Sequence, residues 1–198
     1  MSLLIAMAAF SLAMSISPGP VNMIIISSGV NNGFRRTMPF VSGATIGFTL
    51  LLLFIGFGLY QVVTNYPAFL KYLAVAGSAF IIYIGYKIAS SLPDLKVSEQ
   101  NVPKFYEGFL LQWMNPKAWI ACVSGVSLFS APDTHLTLIT FVTVYFIVCY
   151  ASLAVWAILG DRVSIVLNSE LRLRIFNIAM GTMLIGTSIY LLYLQLFQ

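Results

Sequence analysis

The residues in this sequence that could do chemistry are few. Lys117 sits in an otherwise apolar stretch, directly after Asn115 and Pro116. An ammonium inside hydrocarbon is costly without a partner, so an intramembrane lysine marks a functional site by default. Its partner would be an arriving substrate, a helix carbonyl end or water. The blander reading, a side chain that snorkels or binds backbone, carries less weight. Two helix breakers stand at Ser17, Pro18, Gly19, Pro20 and at Asn115, Pro116, Lys117. Proline removes an N–H donor and clashes with the turn before it, and glycine permits a backbone turn that other residues resist. A half-helix restarting at Pro20, and another at Pro116 with Asn115 as its N-cap, would offer freed N–H groups and positive dipole ends to an anion. Asn22, Gln112 and Asn115 are candidate polar contacts, with ordinary interhelical hydrogen bonding as their plainer role. The chemistry this predicts is the holding of a carboxylate, not catalysis.

Other chemistries lack their residues. The single histidine, His135, falls in a polar loop, and no Asp or Glu lies deep in an apolar run. A serine or aspartate hydrolase and a metal site are therefore disfavoured, and no cofactor is expected. A thiol-disulfide electron carrier is the alternative with a similar broken-helix plan. It would need a cysteine near each break; Cys122 and Cys149 leave the first break with none. They read as buried small hydrophobes.

The elements that must position Lys117 and the breaks follow from composition. Of 198 residues, 60% are hydrophobic and 8% charged, against roughly 25% charged in soluble domains. This excludes a soluble enzyme, a disordered chain and, despite a net charge of +4, a nucleic-acid module. Apolar runs at Leu3–Val30, Met38–Val62, Phe69–Ile88, Phe105–Leu128, Leu136–Leu159 and Leu173–Leu194 predict six transmembrane helices. Each is near the ~20 residues that cross ~30 Å of hydrocarbon, and none shows the strict alternation of barrel strands. The first would stretch roughly 42 Å if straight, so a bend is required. Met1–Ser17 lacks a basic n-region and stays apolar past residue 20, so it reads as the first span and not as a cleaved signal.

Arg35, Arg36, Lys87, Lys96, Lys104, Arg162, Arg172 and Arg174 all fall on one side of these spans, and Lys71 alone on the other. The positive-inside rule makes the first side cytoplasmic and puts both termini outside. The longest polar stretch divides the chain into a three-helix repeat at 1–91, a cytoplasmic linker at 92–104 and a second three-helix repeat at 105–198. Because three is odd, the second trio enters from the opposite face: an all-α polytopic membrane protein built as inverted repeats, with helices one and four broken. Proline kinks many membrane helices to no chemical end. Paired breaks at matching places in inverted halves point instead to a transport site near the midplane. Gly43 and Gly47, with Gly77, Gly85, Gly181 and Gly186, give flat faces for close packing, within one chain or in a homodimer.

Several strings resemble a known family. SPGPVN at Ser17–Asn22, then NNGFRR and SGATIGF, GSAFIIYIGYK at Gly77–Lys87 and EGFLLQWMNPKAW at Glu107–Trp119 together look like the LysE/RhtB family of lysine and homoserine/threonine exporters. The matching pieces run from near residue 10 to near residue 130. The NPKAW string and the compact length look most like the branch that exports cysteine and O-acetylserine or neutral amino acids. The resemblance implies a bacterial inner-membrane exporter of amino acids or their derivatives, driven by proton antiport, with a non-amino-acid solute transporter of related fold as a further alternative. It carries binding roles onto Pro18, Gly19, Pro20, Asn22, Asn115, Pro116 and Lys117. Val21 stands where many members have Asn, which implies one polar contact fewer. Proton coupling would then fall to Lys117, to the substrate or to Glu107, the carboxylate nearest a break.

Overall fold

Proline and glycine set the ends of the first helices. The structure, a computed structural model, describes residues 2–59, 67–91, 102–130, 135–167 and 169–197. The expected turn at Thr64–Pro67, the linker at 92–104 and the loop at Ser130–His135 lie mostly outside these residues. Helix α1 (Ser2–Ile16) stops before Ser17 and Pro18, and α2 (Pro20–Asn32) restarts with proline in its first turn. The two axes are bent by 62°. Gly33, at φ 79°, makes the turn into α3 (Phe34–Phe54), which ends in a π-helical turn at Ile55–Leu59. Then come α4 (Pro67–Ser90), α5 (Phe105–Met114), α6 (Pro116–Phe129), α7 (Leu136–Ser164) and α8 (Glu170–Phe197).

All described elements are helical. Among the described residues four units are long and apolar enough to cross a membrane: α3 with its π turn, α4, α7 and α8; the bent α1–α2 pair makes a fifth. The expected fourth span is divided at Asn115 into α5 and α6, of 10 and 14 residues, each too short to cross alone. Two boundaries differ from expectation. Arg35 and Arg36 belong to the first turn of α3, because the positive φ of Gly33 lets one residue make the whole turn. Asp161 and Arg162 belong to α7, where Asp161 Oδ1 accepts the Phe34 N–H at 3.2 Å and so caps α3 from across the interface.

The glycine faces pack inside the chain. A Cβ on Gly43 would strike the Phe105 carbonyl, and one on Gly108 would strike the Phe40 carbonyl, so α3 and α5 touch backbone to backbone. Gly29 and Gly160 do the same for α2 and α7, as Gly85 and Gly181 do for α4 and α8. Without a hydrophobic drive in lipid, such close approach is what holds helices together. Gly186 has nothing within 4 Å of its Cβ position.

At one end Phe10, Phe129 and Phe141 cluster, with ring centroids 4.7 to 5.9 Å apart. At the other, buried Asn177 exchanges hydrogen bonds with Asn31 at 2.9 and 3.1 Å and donates to Ser91 Oγ at 3.1 Å. That network ties α2, α4 and α8.

Candidate functional site

The two breaks meet. Across a sequence gap of 100 residues, Lys117 Nζ donates to Ser17 Oγ at 2.8 Å, to the Ser17 carbonyl at 3.0 Å and to the Pro18 carbonyl at 3.4 Å. Of the partners expected for this lysine, the structure supplies the helix carbonyl end, where the α1 dipole is negative. The remaining carbonyls freed by the first break are also engaged. Asn22 Nδ2 reaches back to those of Ser15 at 2.9 Å and Ser17 at 3.1 Å, and Trp156 Nε1 takes that of Ile16 at 3.3 Å.

The two half-helix N-termini differ. At the second break Asn115 accepts the Lys117 N–H on Oδ1 at 3.1 Å and the Ala118 N–H on its carbonyl at 2.9 Å. Pro116 has no N–H to satisfy, so the α6 terminus is closed on itself. At the first break Gly19 gives no side-chain cap. Met23 N–H bonds back to Gly19, while those of Val21 and Asn22 have no partner among the described residues. Buried N–H groups of this kind are rare unless a ligand or water meets them.

Gly19 is needed for a reason other than the expected turn. Its φ of −162° is extended backbone open to any residue. A Cβ there, however, would sit 3.1 Å from Lys117 Nζ and 3.3 Å from its Cδ. The glycine leaves room for the lysine to cross between the breaks.

Between the breaks lies a cavity of about 40 Å³, room for about three waters. Of the residues expected from sequence, Gly19, Pro20, Asn22, Gln112, Asn115 and Lys117 line it. Pro18 contributes its carbonyl to Lys117, and Pro116 turns toward Gly77 of α4, 3.5 Å from a Cβ there. Gln112 is buried, and its side-chain amide has no partner among the described residues. Glu107 is not at the cavity. Its Oε2 accepts the Lys104 N–H at 2.7 Å and caps the start of α5. No group of metal-ligating side chains occurs among the described residues.

Sequence reasoning missed one wall. Ser15, Phe48, Tyr145 and Cys149 also line the cavity, with Phe48 stacked on Tyr145 at 4.3 Å and 13°. Ser15 is 7% exposed, and its Oγ has no hydrogen-bond partner among the described residues. Tyr145 and Cys149 stand near it without meeting hydrogen-bond geometry. The available signal was spacing: Ser11 and Ser15, like Tyr145 and Cys149, are four apart on one helical face.

Comparison with known proteins supplies the lineage. The family described as LysE type translocator matches residues 12–195. Cysteine/O-acetylserine efflux proteins of Escherichia coli O1:K1 / APEC, Escherichia coli strain K12 and Shigella sonnei strain Ss046 are each 31% identical over 135 residues, covering 68% of this chain and 69% of theirs. No solved structure matches significantly. With the family match running from α1 to α8 and the broken helices in place, this chain belongs to the LysE type translocator family.

Proposed function

We propose that the protein is a secondary transporter exporting amino acids or amino-acid derivatives across the bacterial inner membrane by alternating access. One observation carries the reading: two N–H groups at the start of α2, without a partner among the described residues, share a cavity with the Lys117 ammonium. Backbone donors, a positive dipole end and a cation together suit a carboxylate. The relatives named as efflux proteins for cysteine and O-acetylserine support an amino-acid substrate moving outward.

In this reading residues 1–91 and 105–198 are inverted three-helix repeats joined by a cytoplasmic linker at 92–104. The pairs α1–α2 and α5–α6 each count as one broken span, giving six, with both termini outside. Helix pairing supports the symmetry. Helix α4 packs on α8 and α3 on α7, each against its counterpart, while α3 against α5 mirrors α7 against α1.

The mechanism starts from the Lys117 latch. A substrate carboxylate docks on the Val21 and Asn22 N–H groups and draws the ammonium away from Ser17 and Pro18. The bond between the two breaks is thereby exchanged for bonds to substrate, and the halves are free to rock. The cavity of about 40 Å³ is far below the roughly 300–1,000 Å³ of ligand pockets, so loading requires that opening. The Phe10, Phe129 and Phe141 cluster lies about one helical turn from the cavity-lining Met14 and Tyr145. It serves as the outer closure. With Glu107 engaged as a cap, proton coupling falls to Lys117 or to the substrate.

The test is counterflow into liposomes of labelled cysteine, O-acetylserine, threonine, homoserine, leucine and lysine. Saturable exchange of one group is expected. No exchange of any, from protein that elutes as a single folded species, would overturn the amino-acid reading.

A further inference from the structure

The carboxylate site leaves one part of the cavity without a task. Ser11, one turn before Ser15 on α1, turns its hydroxyl back to the Met7 carbonyl at 2.7 Å, as serines in apolar helices commonly do. Ser15 does not. Its Oγ is buried, on the cavity wall and without a partner among the described residues, while its own carbonyl is taken by Asn22 Nδ2. It thus offers a donor and an acceptor to whatever lies beside the α2 N-terminus, and a group that fails to answer them leaves a buried polar atom unpaired.

Resting on the carrier reading above, we propose that Ser15, with Tyr145 and Cys149 near it on α7, forms a side-chain subsite selecting small, uncharged amino acids bearing a hydroxyl or thiol. Three features define that class. Among the described residues Lys117 is the only charged side chain on the cavity wall, so a lysine or arginine substrate would bring an unpaired cation into it. An acidic side chain would compete with the substrate's own carboxylate for that single ammonium. The cavity holds only about 40 Å³ and is walled in part by the rigid stacked Phe48–Tyr145 pair, which holds the space to a short side chain. Within that size limit, Ser15 decides between polar and apolar. A site built to hydrogen-bond a substrate group rejects the analogue that lacks it much more strongly than an apolar pocket rejects an added hydroxyl.

The probe is 2-aminobutyrate, in which a methyl replaces the hydroxyl of serine and the thiol of cysteine. Competition in counterflow, with reductant present, is measured for all three in the unmodified protein and in Ser15→Ala. The unmodified protein is expected to prefer serine or cysteine over 2-aminobutyrate by at least tenfold. Ser15→Ala is expected to bring the ratio near one, with elution as a single species showing that the variant is folded. Tyr145→Phe, which keeps the stacked ring, is expected to lower the ratio in part. A ratio that survives Ser15→Ala overturns the subsite. Equal loss of all three substrates in that variant overturns it too, since the effect would then be general. If the unmodified protein exchanges none of the amino acids, the carrier reading itself fails, before any variant is compared.

Discussion

Lys117 and Gly19 form one unit at the residue scale. The lysine crosses from the second break to the carbonyls of the first, and the missing Cβ of Gly19 leaves its path open. Lys117→Ala should abolish counterflow while the protein still elutes as a single species, because the Ser17 carbonyl keeps its bond from Asn22 and the Pro18 carbonyl, at an exposed contact, can turn to water. Full flux in this variant would remove the lysine from the site. Gly19→Ala is a subtler test: it adds no backbone strain at φ −162°, but crowds Nζ at 3.1 Å. Transport should fall several-fold with the melting temperature little changed, as read by counterflow and by a thermal unfolding scan.

At the scale of elements, glycine contacts and helix ends carry the architecture. Gly43 and Gly108 let α3 and α5 meet backbone to backbone. Overpacking typically costs about 1–3 kcal/mol, so Gly43→Val should lower the melting temperature in detergent and shift α5, which carries Gln112. The breaks themselves were legible in sequence, since Pro18, Gly19, Pro20 and Asn115-Pro116 act on their own backbone within a turn or two. So was Lys117, whose charge stands alone among apolar neighbours. The Asn115 cap of α6 was legible too, as an Asn-Pro pair opening a helix. What sequence hid depends on packing between distant helices. Nothing local in Asp161 says that it caps α3, nor does the Pro20 end tell that the Val21 and Asn22 N–H groups find no partner among the described residues. Ser15 and Tyr145 face one cavity only because α1 and α7 pack together.

For the whole molecule, the account requires two halves that move against each other and a chain oriented by its basic residues. Single cysteines in place of Arg36 or Arg174, in a background with Cys122 and Cys149 replaced by serine or alanine, should react with a membrane-impermeant thiol reagent only from the cytoplasmic side. Labelling from outside would invert the topology. The Phe10, Phe129 and Phe141 cluster, with Gly125 leaving room for the Phe141 ring, should hold the outer side shut; Phe141→Ala is expected to raise substrate leak in the absence of exchange partner. The central claim, that a substrate carboxylate is held by the α2 N-terminus and Lys117, is tested most directly by replacing that carboxylate. Competition by a transported amino acid should be compared with competition by its primary amide, in the unmodified protein and in Lys117→Arg, which keeps a positive charge. The account predicts that the amide competes at least tenfold more weakly in both forms that retain exchange. An amide that competes as well as the acid would contradict it.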